Sequence, residues 1–116
     1  MTVVLPTNIH TGDLDRASTI QPTRWTAIVT ITVHDTSHGM VANAAVSGCW
    51  NDGGTASCTT NASGQCAVSR SGILKTKTSV SFTVTNVTRA TLVYKPADNH
   101  DPDGDSNGTT VTVTRQ

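Results

Sequence analysis

From residue 25 to residue 33 the chain alternates between apolar and polar positions. Trp25, Ala27, Val29, Ile31 and Val33 share one parity, and Thr26, Thr30, Thr32 and His34 take four of the five places that follow them. Period two of this kind marks a strand with one face buried, and it predicts a central strand of an antiparallel sheet over residues 24–35. Weaker alternations predict further strands. They cover residues 9–14, 40–50 (Ala44, Val46, Gly48 and Trp50 on one face), 55–60, 65–69, 79–87 (Val80, Phe82 and Val84 inward), 91–94 (Leu92 and Tyr94) and 109–114 (Val111 and Val113). Between them, residues 15–23, 71–76 and 96–108 carry the Gly, Pro, Asn, Asp and Ser of loops. Residues 1–8 predict a linker, and residues 9–116 a single domain.

Seven or eight short strands, spaced by turn signals and without a helical period, point to an all-β fold, an antiparallel β-sandwich. The expected core is Trp25, Val29, Ile31, Val46, Trp50, Phe82, Val84, Tyr94 and Val111, with the four rings at its centre. Gly48 falls in line with the core side, where Trp25 or Trp50 would take the space of a side chain. Composition agrees. Thr, Val and Ile supply 22, 13 and 5 residues, whereas Leu occurs four times and Glu not at all. Such usage favours sheet and starves helices.

The chain has 116 residues and a formal net charge of zero, which gives no electrostatic footprint for nucleic acid. No apolar run approaches the ~20 residues of a spanning helix, so membrane insertion is not expected. The opening Met-Thr-Val-Val-Leu-Pro has neither the basic start nor the apolar length of a signal peptide. All eight acids are Asp and none lies between Gly53 and Ala97, a span with Arg70, Lys75, Lys77, Arg89 and Lys95. That span reads as a solvated surface with edge-strand cations, or as a docking face for a surface polymer.

Cys58 and Cys66 flank a seven-residue connection read as a hairpin, where facing strands bring two Cβ atoms within bonding range. A disulfide there implies an oxidising compartment, hence a secreted or cell-surface protein. Reduced thiols are the alternative. Cys49 is left over, either as a half-buried inert thiol or as an accessible one able to link chains.

Residues 41–46 (Val-Ala-Asn-Ala-Ala-Val) followed by 59–65 (Thr-Thr-Asn-Ala-Ser-Gly-Gln) resemble the repeated pattern of bacterial Ig-like domains of the invasin/intimin type. Met40 stands where that pattern has Pro, and Asn61 where it has Asp. The stretch from His10 to Asp105 also resembles a module near the C-termini of large secreted bacterial proteins. The resemblance implies a non-catalytic accessory, spacer or adhesion domain, monomeric in isolation, whose partners are the neighbouring domains of its parent protein or a surface polymer or protein.

Two clusters offer chemistry. In residues 98–108, Asp101, Asp103 and Asp105 alternate with Asn107 next in register, a set of oxygens suited to a hard cation such as Ca²⁺. An EF-hand loop would need Gly in place of Ser106 and a bidentate Glu further on, and Glu is absent. The alternative is a loop whose Asp side chains bond their own backbone. Asp13, Asp15 and His10 would join this site if the first strand lies against the loop. No cofactor is required on this reading, and calcium is an optional stabiliser. His34, Asp35 and His38 are the second cluster, a zinc-like set weakened because consecutive strand residues point to opposite faces. The Asp-rich loop therefore ranks above any histidine site. Ser69-Arg70-Ser71-Gly72 lacks the spacing of a nucleophile elbow, and an enzyme is not expected. A carbohydrate- or cell-wall-binding domain is the competing function, and it would need an exposed Trp.

Overall fold

The computed structural model describes residues 8–90, 92–102, 104 and 106–115. Eight strands occur among them: β1 (Asn8–Ile20), β2 (Arg24–Asp35), β3 (Ala45–Trp50), β4 (Thr55–Thr59), β5 (Gln65–Leu74), β6 (Ser79–Thr88), β7 (Val93–Tyr94) and β8 (Thr110–Thr114). They form two four-stranded sheets, ordered β5-β2-β1-β7 and β4-β3-β6-β8, packed face to face as a sandwich. All pairings between these strands are antiparallel except β1 with β7. This is the all-β, mostly antiparallel sandwich the alternation predicts. No helix of the described residues is long and apolar enough to cross a membrane.

β2 is central to its sheet, with β1 on one side and β5 on the other. Trp25, Ala27, Val29, Ile31 and Val33 are fully buried on its inner face. From the opposite sheet come Val46, Trp50, Val80, Phe82, Val84, Val111 and Val113, all buried. Trp50 and Phe82 pack with ring centroids 4.9 Å apart. The Trp25 indole satisfies its N–H by donating to the Leu74 and Lys77 carbonyls at 3.2 and 2.9 Å. Tyr94 differs from expectation: it packs against the edge of the core and stays half-exposed, its hydroxyl accepting a hydrogen bond from Asn99 Nδ2 at 2.6 Å. Phe82, rather than either Trp, occupies the space above Gly48, since a Cβ there would collide with the Phe82 ring and the Thr83 carbonyl.

Several boundaries move for one physical reason, the cross-strand ladder. Asn8 begins β1, paired with Val93, so the expected linker does not include it; residues 1–7 lie outside the described residues. Residues 15–20 are strand rather than loop, because each pairs with a residue of β2 from Thr30 to Trp25. Their side chains are mostly exposed on both faces, which removes the alternation a sequence reading needs. β5 likewise continues to Leu74 against Arg24, through residues read as a connection. β3 starts only at Ala45. The preceding Asn43 has a left-handed backbone (φ 60°), and Met40 makes a lone bridge to His34.

The largest correction concerns the two cysteines. Cys58 and Cys66 are bonded, with Cα atoms 5.8 Å apart. Their strands are not a hairpin, because β4 pairs with β3 in one sheet and β5 with β2 in the other. The connection crosses between layers, and the disulfide joins the two sheets where their edge strands meet. Cys49 is exposed on the outer face of β3, so the half-buried reading gives way to the accessible one.

Candidate metal centre

His10 and His34 are directly opposed in the β1–β2 ladder. Thr11 and Val33, the next opposed pair, are fully buried on the core side, so the two histidines share the outer face of the sheet. Two segments fold over that face. The first is the turn after β2. Asp35 Oδ1 accepts from the Ser37 and Gly39 amides, both at 2.9 Å, and the Asp35 carbonyl accepts from the His38 amide at 2.9 Å. His38 is thereby held at φ 62°, a left-handed conformation uncommon for a residue with a Cβ. This turn brings its ring back over the strand. Asp35 is the clamp of the turn, so the set His34–Asp35–His38 does not form as a ligand triad.

The second is the segment after β7 and its single 3-10 turn (Pro96–Asp98). It runs beside β1: the His100 amide donates to the Thr11 carbonyl at 3.1 Å, and the Thr11 amide donates to Asn99 Oδ1 at 2.8 Å. Thr11 Oγ1 also bonds the Gly108 carbonyl, which ties the far end of the loop to the same strand. His100 is set against the outer face, and its Nδ1 faces the Asp98 carbonyl at 3.3 Å.

All four histidines of the chain meet here. One ring nitrogen from each of His10, His34, His38 and His100 lies within 4.8 Å of the others. The six centroid separations are 5.2, 5.3, 5.3, 5.9, 6.0 and 6.0 Å. Gly12, an unpaired residue at the bulge of β1, makes room for the His34 ring, which would collide with a Cβ at that position. His10 is 2% exposed, and neither of its ring nitrogens has a hydrogen-bond partner; the same holds for His34 Nδ1. Burial first, and then the neighbouring rings, push both His10 and His34 below the usual imidazole range. Asp98 and Asp35 act in the opposite direction on His10 and His34 respectively. A neutral imidazole presents a lone pair, the form in which histidine binds a metal.

The carboxylates lie beside this cluster. Asp13, on β1, meets Asp101, as proximity of the first strand to the loop would require. Burial, a hydrogen bond to Asp101 and the charge of Asp15 push the Asp13 carboxyl up to about 7. Asp101 Oδ2 accepts from Ser106 Oγ at 2.5 Å and its Oδ1 from the Gly104 amide at 3.2 Å. Asn107 Oδ1 accepts from the Thr109 and Thr110 amides at 2.9 and 2.7 Å. Asn107 therefore serves the backbone of the loop, as the Asx-turn alternative has it; Asp103 and Asp105 lie outside the described residues. His10 and His100 were not legible as partners of His34 and His38. The available signal was the complete set of four histidines, two of them four residues apart across a Gly-containing turn. Comparison with models of known families, with curated proteins and with solved structures finds no match.

Proposed function

We propose that this chain is a non-catalytic Ig-like module of an exported bacterial multidomain protein, which spaces or presents its neighbours or contributes to adhesion at the cell surface. The observation that carries the reading is the Cys58–Cys66 bond between the edges of the two sheets. Such a bond persists in oxidising compartments, and it locks the layers of a small sandwich against shear. The competing carbohydrate-binding reading needs an exposed Trp, and both indoles are in the core, Trp25 at 0% and Trp50 at 4% exposure. Two of the five cations of the basic span are also occupied: Arg70 pairs with Asp52 at 3.2 Å, and Arg89 donates to the Ala42 carbonyl at 2.9 Å. Calcium is optional in this reading: Asp101 and Asn107 already bond within the loop and Asp13 holds its proton up to about 7, so the fold does not depend on the ion. Sedimentation with insoluble peptidoglycan, chitin and cellulose tests the assignment. The domain should remain in the supernatant, and saturable retention on any of the three would replace the spacer reading with the polymer-binding one.

A further inference from the structure

We propose that His10, His34, His38 and His100 form a closed, tetrahedral site for one divalent zinc-class ion, which fastens the turn after β2 and the loop 96–108 to the outer face of β1. The inference does not depend on the spacer reading.

Geometry selects both the ion class and the coordination. Four imidazoles around zinc, at ~2.0–2.1 Å from each nitrogen, have ring centroids about 5 Å apart in every pair. The observed longest separation is about 1.15 times the shortest (6.0 against 5.2 Å). In a square-planar arrangement, the geometry favoured by Cu²⁺ or Ni²⁺, the diagonals would be about 1.4 times the edges. The rings therefore stand at the corners of a near-regular tetrahedron. Bound nitrogens would be about 3.4 Å apart at the zinc distances, so small side-chain rotations close a set now within 4.8 Å.

The donor chemistry agrees. A ring set of four nitrogens suits a borderline ion and not calcium or magnesium, which take oxygen. His10 is almost fully buried with both nitrogens unpartnered, a costly state that a metal bond relieves at one of them. For His100, the Asp98 carbonyl accepts from Nδ1–H and leaves Nε2 for the ion, an outer-shell contact that fixes the tautomer. His38 is exposed and provides the way in. Four protein ligands fill a tetrahedral sphere, which makes the site structural rather than catalytic. Its ligands come from positions 10, 34, 38 and 100, so the ion ties three segments that are remote in sequence.

The test uses the full chain without any affinity tag. After stripping with a chelator, Co²⁺ should bind at one equivalent with the strong visible absorption of a tetrahedral ion, and Zn²⁺ should displace it. Zn²⁺ should raise the melting temperature, and Ca²⁺ at the same concentration should not reproduce the spectrum or compete. The variant His38→Ala, altered at the exposed ligand, should lose the absorption and the zinc-dependent stabilisation while keeping the buried-tryptophan fluorescence of the parent. If that variant fails to fold, ring-nitrogen NMR of the parent decides: zinc should shift signals from all four histidines. Weak octahedral cobalt absorption, no stoichiometric binding, or shifts in fewer than four histidines would overturn the proposal.

Discussion

Phe82 and Gly48 give the sharpest test of the packing. The ring is 0% exposed, contacts Trp50 at a centroid distance of 4.9 Å, and fills the volume left by the missing side chain of Gly48 on the paired strand. Truncation in Phe82→Ala removes the buried ring and leaves a cavity, at a cost of about 3–5 kcal/mol. A domain of this length has a total stability of roughly 5–15 kcal/mol, so the variant should unfold at much lower urea with an unchanged slope. In Gly48→Ala the new methyl meets two obstacles, the Phe82 ring and the Thr83 carbonyl. Overpacking of this kind costs about 1–3 kcal/mol. The double variant separates the two obstacles. With the ring gone, only the carbonyl clash remains, so Gly48→Ala should cost less in the Phe82→Ala background, with a coupling above ~0.5 kcal/mol. Urea denaturation of all four proteins measures the cycle. Additive costs would mean that the ring is not what excludes a side chain at 48, and parent-like melting of Phe82→Ala would refute the inward assignment of β6.

Three further outcomes are expected. Replacing Cys58 and Cys66 by Ala reopens a loop closed across a sequence separation of 8, which on the chain-entropy estimate removes about 2.5 kcal/mol and should lower the melting temperature by roughly 10 °C; alkylation of the native parent should label one thiol per chain, Cys49. The Asp13 carboxyl holds its proton in the folded chain up to about 7, against 3.8 as the reference for an unfolded one, so its contribution to stability is complete below pH 4 and is lost as pH rises toward 7. Measured as the difference in unfolding free energy between the parent and Asp13→Asn, the parent should lose ground steadily across that window, and a pH-independent difference would remove the buried-proton account. Millimolar calcium at pH 6 should leave the melting temperature unchanged, since Asp101 and Asn107 bond within the loop and Asp13 is protonated; a shift abolished by Asp101→Asn would place a calcium site there.

Alternation alone determined the sandwich. Wherever a strand has one wet face and one dry face, the sequence records it, as in Trp25–Val33, Val46–Trp50, Val80–Val84 and Val111–Val113, and the residues expected inside are there apart from the half-exposed Tyr94. Strand ends with both faces in water carry no such record, which is why residues 15–20 read as loop although β2 pairs with every one of them. Parity also says nothing about which sheet a strand joins. Cys58 and Cys66 stand eight apart in either topology, and only the crossover from β4 to β5 makes their bond a clamp between layers. The histidine cluster depends on tertiary structure still more. It needs the β1–β2 register, a bulge at Gly12, a left-handed His38 and the attachment of residues 99–100 to Thr11, none of which a local pattern encodes. Four rings separated by up to 90 positions along the chain meet because long-range hydrogen bonds fix where the backbone passes, and the sequence specifies those bonds only through the fold as a whole.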